Sequence, residues 1–465
     1  MSIKTIIYDI EVDVLVVGGG LAGIAAAMEG ASTGAQVMLL EKQQRTGGSS
    51  ELSGGLFAFS GTDMQKAAGI EDDETRLYAD IRNAGQQQND DALVRAYVTH
   101  QMSAYDWLRQ QGTQFKSVEV GAGQSAPRAH SVNSQAFMDM MGERVRHTPG
   151  VRVAHEAPAR RLLTDDTGRV CGAAAELKGR TVNIRARRGV VLAAGGFARN
   201  AKMVKLFTPQ QARAIPYCGA GNTGDGLRMA WALGAGLADM AHIKGTFGFH
   251  PDTGKTEGRD WSKHCVYRGA IAVNKLAQRY VDESKSYKLL GDAVLAQPDA
   301  MAYQIFDESV MDTATEDAPL FRFREALKLG RLLTAPTLEA LAQRIGLDPV
   351  KLTATVERYN SFVRAGRDED FGRAGLSTTY GKLVELKRAP WYAYPSTSGL
   401  IATYCGVTID TGARVLNVFG EAIPGLYAAG EMTGGFHGVA YMTGSSLGKC
   451  VIFGRIAGRH AALQN

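Results

Sequence analysis

No stretch of this chain approaches the ~18 consecutive apolar residues that a membrane-spanning helix needs, so no span is expected. Cysteine is scarce. The five that occur, Cys171, Cys218, Cys265, Cys405 and Cys450, are widely scattered and form no C-x-x-C pair. Without a C-x-x-C-H motif, no covalently attached c-type haem is encoded. The odd number, the spacing and the lack of a signal peptide lead to the expectation of reduced thiols in the cytoplasm. The nine histidines do not cluster with cysteines or carboxylates at ligand spacing, so no metal site is expected. Charge imbalance is small, at +5. With no long Lys/Arg run, nucleic acid is not an expected partner. The densest basic cluster, Arg185, Arg187 and Arg188, precedes an apolar strand. It reads as a solvated edge, with anion binding as the alternative.

Glycine is plentiful, at 55 of 465 residues. It clusters in a few loops without a period, which points to backbone–ligand contact rather than low complexity. The segment 13–48, DVLVVGGGLAGIAAAMEGASTGAQVMLLEKQQRTGG, carries the strongest signal. The apolar run Val14–Val17 reads as a buried parallel strand. Gly18, Gly20 and Gly23 then give G-x-G-x-x-G: a tight turn, close backbone approach to a pyrophosphate, and close helix–strand packing. An Ala-rich helix over Leu21–Thr33 offers its N-terminus to phosphate. A second strand, Gln36–Leu40, ends at Glu41, where an acid accepts hydrogen bonds from a ribose diol. Glu41 favours an unphosphorylated ribose, hence FAD or NAD over NADP.

Two glycine pairs, Gly47–Gly48 and Gly54–Gly55, follow among small hydroxyl residues. The pattern then predicts two helices within 70–112, one starting at Asp72 or Asp73, and a helix through Met138–Val145. Strands alternate over 151–176 with a turn at 165–168, and Gly189–Ala194 reads as a buried strand. Residues 237–384 lack Rossmann-like units and are helix-rich, at 322–330, 337–345 and 348–365. This segment is expected to be an inserted domain. β-Rich sequence returns at Val407–Ile409, Val415–Leu416 and 424–431, and a last helix runs from about Ser445 to Ala462. A second G-x-G-x-x-G, at Gly219–Gly224, follows a short Pro-containing run. No strand-ending acid follows it, so it is set aside as a separate nucleotide site. The expected fold class is α/β: a Rossmann-like FAD-binding domain (1–236 and 385–465) interrupted by an α+β capping domain (237–384).

With these motifs in order, the chain resembles the fumarate reductase/succinate dehydrogenase flavoprotein superfamily, which includes 3-ketosteroid dehydrogenases and tricarballylate dehydrogenase. The matching segments include GGSSELSGG, PRAH (127–130), GVVLAAGGFARN, GNTGDGLRMAWALGA, AVNKLAQRYVDES (272–284) and IPGLYAAGEMTGGFHG. The resemblance implies a substrate held between cap and flavin. It implies that Gly18, Gly20 and Gly23 hold the pyrophosphate and Glu41 the adenosine ribose. Gly48, Ser49 and Ser50 continue the phosphate and flavin contacts, and Gly54 and Gly55 lie beside the ring. Glu431 reaches the ribityl chain, and Ser446 and Leu447 present N–H groups to the flavin pyrimidine edge. Lys42, Ala159 and Asp225 join this cofactor set. Succinate dehydrogenase-type members attach FAD to a histidine after the first glycine segment. Residues 47–62 contain none, so FAD is expected to be non-covalent.

By the same resemblance, Arg279 is the proton donor, aided by Asp282 or Glu283; the alternative is a structural Arg–carboxylate pair. His250 orients a substrate carboxylate or is a plain loop histidine, and Arg128 and His130 fall near the site. Two departures bear on substrate. Fumarate reductases carry an arginine where this chain has Tyr441, and a histidine where it reads Ile401-Ala402-Thr403-Tyr404. Fumarate and succinate are therefore disfavoured. In ketosteroid dehydrogenases a tyrosine and a backbone N–H polarise the substrate carbonyl, and Tyr441 and Gly444 match that role. The expected activity is FAD-dependent hydrogen transfer across a C–C bond α,β to a carbonyl or carboxylate, with an unidentified electron partner. An oxidase or monooxygenase-like enzyme and a flavin-carrying electron-transfer subunit are the alternatives.

Overall fold

A computed structural model describes residues 6–252, 262–316, 319–376 and 381–464. The chain is mixed α/β and forms two compact units. One comprises 1–208, 218–243 and 402–465, the other 209–217 and 244–401. The sequence-expected boundary at 384/385 falls within the second unit.

The first unit is built on an eight-stranded sheet. Ile10–Val17 lies parallel to Val37–Leu40 on one side and to Arg180–Leu192 on the other. Val151–Ala154 continues beyond the second strand, and Ala422–Ala428 pairs parallel with the end of the long strand. Val14, Leu15 and Val16 are fully buried, as a strand covered on both faces requires. The strand expected over 189–194 is the end of this 13-residue strand, which begins at Arg180 and stops at Leu192. The basic cluster lies along it. Arg187 and Arg188 face Asp13 at 2.9 and 3.6 Å, and Arg185 faces Glu11 at 3.7 Å.

The helix Leu21–Ser32 packs against the last helix, Ser445–Leu463. Small residues set the distance. A Cβ on Gly454 would come within 2.5 Å of the Ala22 carbonyl oxygen, and one on Gly458 within 2.1 Å of that of Ala26. Glu29 of the first helix accepts from Arg455 of the second at 2.8 Å. Helices Glu74–Ala84 and Asp91–Gln110 are capped by Asp73 and Asp90. The helix read through 138–145 extends over Ser134–Arg146.

The second unit has its own six-stranded sheet around Trp391–Leu400. That strand pairs antiparallel with Ala302–Asp307, Leu333–Ala335 and Thr246–Phe249. Helices Phe323–Lys328, Leu338–Arg344 and Pro349–Ala365 match the expected helical stretches. Its core includes Ile271, Val273, Ile305, Phe306, Leu341 and Tyr394.

Candidate active site

Within the first unit, a cleft with about 810 Å³ of empty volume, its open mouth included, lies at the ends of the parallel strands. Gly18, Gly20, Glu41, Lys42, Gly48, Ser49, Ser50, Ala159, Asp225 and Glu431 all line it. The remaining candidates lie elsewhere. Gly23 packs the first helix onto its strand, where a Cβ would sit 1.8 Å from the Gly18 carbonyl oxygen. A Cβ on Gly55 would meet the Val132 carbonyl oxygen at 2.3 Å, whereas Gly54 faces open space. Ser446 and Leu447 occupy the first turn of the last helix.

The three fingerprint glycines differ in what demands them. Gly18 stands at φ +111°, and its Cβ would lie 2.3 Å from the Ala193 carbonyl oxygen. Gly18 and Gly23 are thus required by the protein's own packing. At Gly20 a Cβ would meet no protein atom closer than Ser50 Oγ at 3.9 Å, so smallness there serves what enters the cleft. Glu41 receives the N–H groups of Gly19 and Gln43 at 2.7 and 2.8 Å, which braces the glycine loop.

Lys42 donates to Asp225 and Thr223, both at 2.6 Å. Burial opposes charge on Asp225, but Lys42 holds its carboxyl below the ordinary carboxylate value. Glu431 accepts from Asn222 Nδ2 at 2.8 Å and from the Thr403 N–H at 2.9 Å. Burial nevertheless pushes its carboxyl upward.

The glycine run 219–224, set aside above as a second nucleotide site, belongs to this same cleft. Gly219, Gly221 and Asn222 line it. Ser49 Oγ accepts from the Gly219 N–H at 3.1 Å and from Asn222 at 3.2 Å. Asn222 was missed as a site residue, although GNTGDG was already among the matching segments. Cys450 also lines the cleft; burial pushes its thiol up to about 12, which makes it an inert wall.

These residues fit a bound flavin dinucleotide. Besides Gly20, Ser446 Oγ is buried without a partner among the described residues. It sits at the N-terminus of a 19-residue helix whose cap, Gly444, contributes no side-chain bond. First-turn N–H groups have no partner within a helix, and the dipole there favours negative charge.

The other candidates divide between the units. Tyr441, in the first unit, stacks on Tyr404 with ring centroids 4.9 Å apart. Arg128 pairs with Asp72 and Asp80 at 2.7 and 3.0 Å, and His130 bonds Thr62 Oγ1 at 2.8 Å. Neither lines the cleft. In the second unit His250 is buried, and its Nδ1 accepts from the Asp252 N–H at 3.2 Å. Burial lowers its pKa.

Arg279 is clamped in the second unit. Its guanidinium gives two bonds to Glu283, at 2.9 and 2.7 Å, and two to Asp368, at 3.2 and 2.9 Å. Asp282 instead caps its own turn through Ser284. Burial alone would lower the Arg279 pKa, but the two carboxylates outweigh it and raise it. Arg373 closes the network through Glu283 at 3.3 Å.

A sheet whose parallel strands end at this glycine-walled cleft defines a dinucleotide-binding protein. Residues 13–447 match the family described as FAD binding domain. The fumarate reductase (cytochrome) of Shewanella frigidimarina is 35% identical over 97% of this chain and 77% of its own length. The open conformation of a flavocytochrome c3 fumarate reductase superposes with a TM-score of 0.85 at 30% identity, covering 98% of this chain and 78% of that one. The 3-ketosteroid-Δ4-(5α)-dehydrogenase of Rhodococcus jostii gives 0.78 at 30% identity, covering 99% of both chains. The chain belongs to the FAD binding domain family, within the fumarate reductase/succinate dehydrogenase flavoprotein-like superfamily. It is an FAD-dependent oxidoreductase acting on CH–CH groups. Among the described residues no helix is long and apolar enough to cross a membrane.

Proposed function

We propose that this protein adds or removes hydrogen across a C–C bond α,β to a carbonyl or a single carboxylate, as an enoate or enone reductase or the matching dehydrogenase. The observation that carries the reading is Tyr441, at the position where fumarate reductases hold a carboxylate-clamping arginine. The names of its relatives span a dicarboxylate reductase and a ketosteroid dehydrogenase, and a phenol there suits the carbonyl end of that range.

Bound in the cleft, FAD supplies or accepts the hydride at its N5. The residues do the rest. Gly18, Gly20, Gly48, Ser49 and Ser50 hold the pyrophosphate and neighbouring phosphate oxygens, and Glu41 the ribose. Glu431, kept in place by Asn222 and Thr403, reaches the ribityl hydroxyls. Ser446 and Leu447 give their N–H groups to the flavin pyrimidine edge, where reduction leaves negative charge. Tyr441 donates its phenolic hydrogen bond to the substrate oxygen on which enolate charge develops. His250, kept neutral by burial, orients the substrate by hydrogen bonding. Arg279 was expected from sequence to give the α-carbon proton. The two carboxylates that hold its charge favour a permanently cationic anchor, and the α-carbon proton is then exchanged with water.

Tyr441→Phe tests the reading. It removes only the phenol donor and should cost on the order of 3 kcal/mol of transition-state stabilisation. The loss should appear in kcat rather than KM, because the enolate charge exists only as the bond reacts. An effect confined to KM would reduce Tyr441 to a binding group. Efficient fumarate reduction by the native enzyme would remove the argument for a single carboxylate.

A further inference from the structure

The surroundings of Tyr441 extend this reading to a substrate class. Tyr404 and Tyr441 lie 37 positions apart in sequence, yet their rings stack at 4.9 Å and 13°. The buried ring of His437 meets both edge-on, at 5.2 Å from Tyr404 and 5.9 Å from Tyr441. Phe436 backs His437 at 4.8 Å and 81°. Neither tyrosine is fully buried. The pair is tied to the cofactor cleft at both ends. Thr403, next to Tyr404, donates its N–H to Glu431, and Tyr441 stands shortly before the helix that starts at Ser445.

Two further features mark this wall as more than core filling. Tyr404 has φ +55°, a left-handed conformation that bulky residues seldom adopt, and such outliers concentrate at functional sites. By the resemblance, the places where fumarate reductases carry a carboxylate-gripping arginine and histidine hold Tyr441 and the stretch Ile401-Ala402-Thr403-Tyr404, which contain neither. A surface of phenol and imidazole rings attracts flat π-systems through offset and edge contacts and gives little to a small aliphatic dianion.

We infer that Tyr404 and Tyr441 form an aromatic platform that selects substrates whose reacting double bond is conjugated to, or lies within, a flat ring: aryl enoates and cyclic enones over small aliphatic acids. The inference rests on the proposed C–C oxidoreductase activity. Tyr404 acts as a specificity residue and Tyr441 as both platform and oxygen donor.

The test compares kcat/KM of the FAD-loaded enzyme for cinnamate, cyclohex-2-enone, crotonate and fumarate with a reduced viologen donor. The saturated counterparts are assayed with a dye acceptor. Cinnamate and cyclohexenone should exceed crotonate at least tenfold. Tyr404→Asn removes the ring with a residue that tolerates the left-handed conformation. It should lower the ring-to-aliphatic ratio roughly five- to tenfold, the worth of one aromatic contact, through a raised KM for the ring substrates. Tyr404→Phe should restore the ratio. Crotonate used as well as cinnamate by the native enzyme, or an unchanged ratio in Tyr404→Asn, would overturn the platform while leaving the C–C activity standing. Turnover of none of these compounds in either direction would overturn the activity and the platform with it.

Discussion

At the scale of single residues, Gly18, Gly20 and Gly23 share one motif but answer to different neighbours. Gly20→Val should leave the protein folded by circular dichroism and colourless, because its side chain enters space that only a ligand fills. Gly23→Ala should instead destabilise the fold outright, since its methyl would overlap the Gly18 carbonyl. Loss of folding in Gly20→Val would contradict the distinction. Lys449 is a second residue-scale case. It is buried on the last helix, donates to the Thr433 carbonyl oxygen at 2.8 Å, and has no carboxylate within ion-pair distance among the described residues. Burial lowers its pKa to about 8. Below pH 8 the folded protein carries the full cost of that desolvated charge. Between 8 and 10.5 the unfolded chain binds the extra proton, so stability contributed at this position rises with pH. At about 1.4 kcal/mol per pKa unit, Lys449→Met should be roughly 3 kcal/mol more stable than the native protein at pH 7. The gap should close towards pH 10.5 in urea titrations at saturating FAD. A gap independent of pH would mean the ammonium is not the cause.

Among the elements, the turn that follows the strand Ile271–Asn274 is fixed by charge. Arg279, Glu283, Asp368 and Arg373 are all buried and charge-balanced. Asp368 illustrates the balance: burial would raise its carboxyl, yet the bonds from Arg279 hold it below the ordinary value. Removing one partner from such a network leaves an uncompensated buried charge, typically costing about 3–5 kcal/mol. Glu283→Gln should therefore lower the unfolding free energy from urea titration by an amount in that range. Arg279→Lys should also destabilise, because an ammonium cannot reach two carboxylates bidentately. If Arg279→Lys instead keeps native stability and loses turnover ~100-fold or more, the loss marks a positioned acid and returns Arg279 to proton transfer.

For the whole molecule, the first unit assembles its cleft from chain segments separated by hundreds of residues. Glu41 and Ser49 come from the start, Asn222 and Asp225 from the middle, and Glu431 and Cys450 from the end. Cofactor and fold are then linked, since a ligand bound only to the native state stabilises it by mass action. With no histidine among residues 47–62, acid precipitation should release free FAD into the supernatant. Yellow colour retained in the pellet would show covalent attachment elsewhere.

The dinucleotide unit was legible in the sequence because its signals are local. A strand, a three-glycine turn, an Ala-rich helix and an acid follow one another within 13–41, and each is fixed by short-range sterics. Helices with strong caps, such as those starting after Asp73, Asp90 and Asp348, were legible for the same reason. The strand Trp391–Leu400 was not, because its residues are buried on both faces and show no alternation. The use of Gly219–Asn222 in the first cleft was hidden by distance along the chain. So were the choice of Asp368 as the second partner of Arg279 and the stacking of Tyr404 on Tyr441. These pairings join residues dozens to hundreds of positions apart, and nothing in local propensity encodes them. The sequence by itself determined the cofactor fingerprint and the chemistry available at each position. Only the tertiary structure decided which of those groups meet, because burial, charge pairing and ring stacking are properties of neighbours in space.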